Sequence, residues 1–124
     1  MGDQAIRIVI ADDNAIVRRG LRVFIELHDD FELVGEASNG SEAVELCRQL
    51  SPDLVLMDLV MPVMNGIQAT ETIRSQFPSI QIVILTSTVE MELVTAAMSA
   101  GAHSYMIKTV TIDRMASTIR AAIS

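Results

Sequence analysis

At 124 residues, half of them hydrophobic, the chain has the length of one domain and enough apolar material to bury a core without disulfide or metal staples. A single cysteine excludes an internal disulfide and suits a reducing compartment, and a net charge of −7 sets most of the surface against nucleic acid and anionic lipid. No apolar run approaches the roughly 20 residues that cross a membrane, and the opening MGDQAIRIVIADD is acidic where a secretory leader is basic, so a cytoplasmic protein is expected.

In chain order, strand-like and helix-like segments alternate. IRIVIA (6–11) is apolar and β-branched, and in 14–28 the residues Ile16, Val17, Leu21, Phe24, Ile25 and Leu27 fall near helical spacing. FELVGEA (31–37) shows the polar alternation of an edge strand, and SEAVELCRQL (41–50) is an amphipathic helix opened by Ser41 behind a glycine. DLVLM (53–57) is apolar on successive positions, the mark of a strand buried on both faces. A helix over 66–77 stops at Pro78, IQIVILT (80–86) is a strand, and a helix over 90–100 ends at Gly101. SYMIK (104–108) is a short strand and TIDRMASTIRAAI (111–123) the last helix.

Five strand–helix units with short connections predict a doubly wound α/β fold: a five-stranded parallel sheet with five helices covering both faces. The flavodoxin-like order 2-1-3-4-5 is expected, with its switch point between strands 1 and 3. Strand 1 ends in Asp12 and Asp13, and strand 3 ends in Asp58. That order brings three carboxylates into one crevice.

Like charges at short range cost on the order of a few kcal/mol per pair at reduced dielectric, so either some of the carboxylates protonate or cations join them. Hard oxygen ligands favour Mg²⁺, which supplies +2. Of nine basic residues eight are arginine, and the one lysine, Lys108, ends strand 5 on the same rim and brings the sum to zero. Such a site suits a phosphoryl group attacked by a carboxylate. Asp58 stands alone at its strand end and is the candidate nucleophile; Thr86, ending strand 4, offers a hydroxyl.

Four stretches in order, IADD (10–13), LMDLVMPVMNG (56–66), ILTS (84–87) and SYMIK (104–108), with AGA (100–102) before the last strand, resemble the receiver domains of bacterial two-component response regulators, most closely the NarL/LuxR group. The resemblance covers residues 1–124 and implies the CheY-like version of the fold. It also implies that Asp58 accepts phosphate from a sensor histidine kinase. Asp13 and Asp58 then ligate Mg²⁺ (or Mn²⁺), Asp12 acts through water, and Val60 offers its backbone carbonyl. Lys108 pairs with the phosphoryl group, Thr86 moves toward it, and Tyr105 swings inward behind it. The implied product is a signalling domain rather than an enzyme proper, one that catalyses only its own phosphorylation and slow dephosphorylation. Homodimerisation on phosphorylation is implied, through helices 1 and 5 or through the helix 4 to helix 5 face. So is transcription regulation through a C-terminal helix-turn-helix domain outside this chain, with no DNA or membrane contact by the receiver itself. The alternative is a stand-alone receiver that relays phosphate or acts by protein–protein binding. An aspartate-nucleophile phosphatase fits less well, because that class carries its nucleophile on strand 1 with a second acid two residues on, whereas Asp12 and Asp13 are adjacent.

Thr109 follows the lysine where many receivers carry proline, which leaves the Lys108–Thr109 peptide geometry undetermined by sequence, and Asn65 replaces a common aspartate while still suiting a helix cap. Adjacent acids often mark only a helix start; their combination with Asp58 and Lys108 decides for chemistry. Cys47 reads as a small core residue, His28 and His103 as solvated, and Met91, Met98, Met106 and Met115 as core filling or an adaptable contact surface.

Overall fold

The computed structural model describes residues 4–124; the leader argument falls partly on residues 1–3, outside the described residues. Five strands, β1 (Ile6–Ala11), β2 (Phe31–Ala37), β3 (Leu54–Met57), β4 (Gln81–Thr86) and β5 (Ser104–Ile107), alternate with five helices. These are α1 (Ala15–Glu26), α2 (Gly40–Leu50), α3 (Gly66–Gln76), α4 (Met91–Ser99) and α5 (Ile112–Ile123). The sheet runs β2-β1-β3-β4-β5 with every pairing parallel, as expected.

Alternation along the strands builds two cores. Val9, Ala11, Val55, Met57, Ile82 and Ile84 face α2, α3 and α4, while Ile8, Ile10, Leu54, Leu56, Val83 and Leu85 face α1 and α5. Because β3 is central, its four residues are all buried, which is why the segment reads as a continuous apolar run. Each such aliphatic side chain contributes about 1.5–3 kcal/mol of burial. Cys47 is fully buried beside α2's Ala43 and Val44, and burial pushes its thiol up to about 12.

Several boundaries differ from the sequence reading for local reasons. Asn14, Glu90 and Thr111 are caps rather than helical residues; Asn14 and Thr111 accept backbone N–H groups of the first turn. Helix α2 is opened not by Ser41 but by Asn39, whose side chain accepts the Glu42 N–H at 2.9 Å. Asp53 lies ahead of β3, its carboxylate taking the Arg7 N–H at 2.8 Å. Asn65 caps α3 in a reciprocal capping box with Gln68. Gly101, at φ +117, ends α4.

Ile16 and Leu27, placed on the apolar face of α1, are 77% and 67% exposed. His28 is only partly solvated: it is half-buried and packs with tilted ring planes against Phe24 and Phe31, ring centroids 4.8 and 5.0 Å away. His103 is exposed. The four methionines divide, Met106 and Met115 filling the core and Met91 and Met98 lying at the surface.

Candidate functional site

The site is assembled by hydrogen bonds that extend the sheet one step past each strand. Asp12 N–H donates to Ala37 C=O at 3.0 Å, Asp58 N–H to Ala11 C=O at 3.0 Å, and Lys108 N–H to Thr86 C=O at 2.9 Å. The ends of β1, β3 and β5 are thereby locked to their neighbours, and the side chains that follow them project from one rim. The Lys108–Thr109 peptide is trans, as is every peptide bond among the described residues.

The three predicted carboxylates converge. Asp12, Asp13 and Asp58 each present an oxygen within 4.8 Å of the others, so they are able to hold a cation. Asp12 and Asp58 are buried and Asp13 is exposed. Lys108 bridges the buried pair, its Nζ lying 2.6 Å from Asp12 Oδ2 and 3.3 Å from Asp58 Oδ2. The second oxygen of Asp12 accepts the Asn14 N–H at 2.8 Å, and that of Asp58 the Leu59 N–H at 2.8 Å.

Burial pushes the Asp58 carboxyl above its ordinary range and the charge of Asp12 pushes it further, against the pull of Lys108 and the Leu59 N–H. Burial works against the Lys108 ammonium, but its contacts with Asp12 and Asp58 outweigh this and leave it above an ordinary lysine. Both shifts describe one condition: two buried carboxylates share a single ammonium, with negative charge in excess. An electron-rich carboxylate, a fixed ammonium and a divalent-cation cradle suit attack on phosphorus.

Thr86 is buried at the end of β4, and its hydroxyl accepts the Thr88 N–H at 3.3 Å. Tyr105 is 42% exposed on the outer edge of β5. Val60 is exposed beside Asp58, and two residues after Met61 Val63 holds a left-handed backbone, φ +68. Gly66 seats α3 against the acceptor loop: its N–H donates to Leu59 C=O at 2.9 Å, and a Cβ there would collide with the Asp58 carbonyl.

Sequence reasoning missed Arg18, which donates from Nη1 to the Asp12 carbonyl at 2.6 Å and pairs through Nε with Glu36 at 3.4 Å. Its position on α1 gives no pattern signal, because the contact depends on how α1 lies over β1 and β2.

Comparison with known proteins agrees with this fold. The sequence profile of the response regulator receiver domain matches residues 8–120. Among curated proteins the chain is 47% identical over 113 residues to "Uncharacterized transcriptional regulatory protein YhcZ" of Bacillus subtilis, covering 91% of this chain and 53% of that one. It is 46% identical over 117 residues to "Transcriptional regulatory protein LiaR" of the same species, covering 94% and 56%. The chain thus spans about half the length of these relatives. Among solved structures, the signal receiver domain of the putative response regulator NarL from Mycobacterium tuberculosis superposes with TM-score 0.91 at 28% identity, covering 95% of both chains. A LuxR-family two-component response regulator from Aurantimonas superposes with TM-score 0.90 at 35% identity, covering 97% of this chain and 86% of that one.

Proposed function

The chain belongs to the response regulator receiver domain family, and from that premise we propose that Asp58 is the phosphoacceptor of a NarL/LuxR-type transcriptional response regulator. The observation that carries the proposal is the meeting of Asp12, Asp13, Asp58 and Lys108 on one rim.

An Asp58 oxygen attacks the phosphorus of a kinase phosphohistidine; the new P–O bond forms as the P–N bond breaks, and the imidazole leaves with the kinase. Lys108, already bridging Asp58 and Asp12, is placed to hold a phosphoryl oxygen. Asp13 and Asp58, with the Val60 carbonyl, would hold Mg²⁺ (or Mn²⁺), which when bound offsets the negative charge gathering on the phosphoryl oxygens. Both Asp12 oxygens are engaged, one by Lys108 and one by the Asn14 N–H, which supports its acting through water.

Once Asp58 is phosphorylated, the Thr86 hydroxyl gives up the Thr88 N–H and turns toward the phosphoryl group, and Tyr105 moves into the space behind it. The exchange of one hydrogen-bond partner for another biases a two-state β4–α4 segment. The readouts are homodimerisation and control of a C-terminal helix-turn-helix DNA-binding domain, in a cytoplasmic protein. The relatives' description as transcriptional regulators supports this output. On α1, at its C-cap and on α5, exposed Val23, Leu27 and Ile112 border an apolar groove of about 330 Å³, which favours that face for the dimer.

Incubation with Mg²⁺ and a small-molecule phosphodonor, followed by intact mass measurement, is expected to add one phosphoryl group to the wild type and none to Asp58→Ala. An unchanged wild-type mass, or equal labelling of the variant, contradicts the assignment.

A further inference from the structure

The Asp12–Asp13 peptide unit carries two of the three acids, and its own polar groups need an anchor. It lies before α1, whose first backbone bonds run to Asn14 C=O, so the Asp12 carbonyl takes no part in the helix ladder. Arg18, one turn into α1, donates to that carbonyl at 2.6 Å. The guanidinium is itself held: its Nε faces Glu36 Oε1 at 3.4 Å, and Glu36 is gripped by Arg22 through two bonds of 2.8 and 3.0 Å. Arg22 and Arg18 together keep the Glu36 carboxyl well below its ordinary range, so it stays charged. The chain of contacts therefore runs Arg22–Glu36–Arg18–Asp12 carbonyl, from α1 through Glu36 on β2 and back through α1 to the acids. Arg18 is mostly buried, with 21% of its side chain exposed.

We propose that Arg18 is a positioning residue for the divalent-cation site, fixing the Asp12–Asp13 peptide so that the Asp13 carboxylate meets Asp58. This rests on the reading of Asp13 and Asp58 as cation ligands. Two physical effects of removing Arg18 have opposite signs, which makes the proposal testable. As a nearby positive charge, Arg18 repels a divalent cation, and its loss strengthens cation binding. As the anchor of the peptide, it pre-aims a ligand, and its loss weakens binding by about tenfold, the lower end of what outer contacts to metal ligands are worth. The planar fork reaches the carbonyl and Glu36 at once, which a lysine ammonium cannot do, so Arg18→Lys falls between.

The experiment titrates the protein with Mn²⁺ and reads free ion by electron paramagnetic resonance, with thermal melts in chelator recording the fold. Expected are dissociation constants raised about tenfold in Arg18→Met and less in Arg18→Lys. Binding within twofold of wild type, or tighter, in a folded Arg18→Met overturns the proposal; if that variant does not fold, Arg18→Lys decides by the same criterion. Asp13→Asn separates the two levels. If wild type binds no Mn²⁺, or Asp13→Asn binds as well, the ligand assignment fails; if Asp13→Asn loses binding while Arg18→Met keeps it, only the positioning role fails.

Discussion

Replacing Asp58 by asparagine is expected to stabilise the cation-free protein. At an effective dielectric of 20, Lys108 at 3.3 Å attracts the Asp58 charge by about 5 kcal/mol, whereas Asp12, within 4.8 Å, repels it by about 3.5 kcal/mol or more. Asp13 adds a screened repulsion from the surface. Against this near balance stands the desolvation of a carboxylate that is 6% exposed, a cost of several kcal/mol on the order found for buried ions. The sum is unfavourable, in line with the raised Asp58 carboxyl. Asparagine keeps the shape, removes the charge, and leaves Lys108 its shorter bond to Asp12 at 2.6 Å. The gain should be about 1–2 kcal/mol, or about 3–8 °C in Tm for a domain of this size. The pH dependence has a definite sign. A folded-state carboxyl raised above its unfolded value binds its proton more tightly when folded, so the penalty is full at neutral pH and fades as pH falls through the folded value toward the unfolded value near about 3.9. The advantage of Asp58→Asn in chelator should therefore shrink on acidification. Thermal melts in EDTA across that range provide the assay. A variant less stable than wild type at pH 7, or a gap that widens in acid, refutes the reasoning.

Other consequences are equally specific. Lys108→Met leaves Asp12 and Asp58 buried without their shared cation and should cost about 3 kcal/mol in urea unfolding without divalent ions, part of it restored by Mg²⁺; an unchanged midpoint contradicts the charge balance. Val63 is 84% exposed with φ +68, a backbone that β-branched residues resist, so Val63→Asn should stabilise by about 1 kcal/mol, and a loss in the same melt counts against strain there. Asp30 and Arg120 form a pair with both side chains about half exposed, and Asp30→Asn should shift stability by under about 0.5 kcal/mol; a larger loss would mean that this contact is more than a surface ion pair.

What the sequence disclosed follows from periodicity and topology. The apolar run of β1 and the polar alternation of β2 mark their limits to the residue, because each strand's burial pattern is set by the layers that cover it. Given five βα units, strand order places Asp12, Asp13, Asp58 and Lys108 on one rim, and charge neutrality singles out the one lysine. Contacts set by rotamers were not legible. That Lys108 sits closer to Asp12 than to Asp58, that Arg18 reaches back to the Asp12 carbonyl, and that His28 packs against two phenylalanines depend on how helices lie across the sheet. The same holds at the helix starts: Ser41 and Asn39 are both plausible caps by type, and only the extended backbone at Asn39 decides between them.

A divalent cation is required to complete the neutralisation of Asp12, Asp13 and Asp58 beside Lys108 if Asp58 is the phosphoacceptor. Diffraction from crystals grown with Mn²⁺, phased to show anomalous scatterers, locates that ion directly. One peak is expected in the crevice, bonded to carboxylate oxygens of Asp13 and Asp58 and to the Val60 carbonyl. A crevice without a peak at saturating Mn²⁺, or an ion held elsewhere while Lys108 alone bridges the acids, would contradict it.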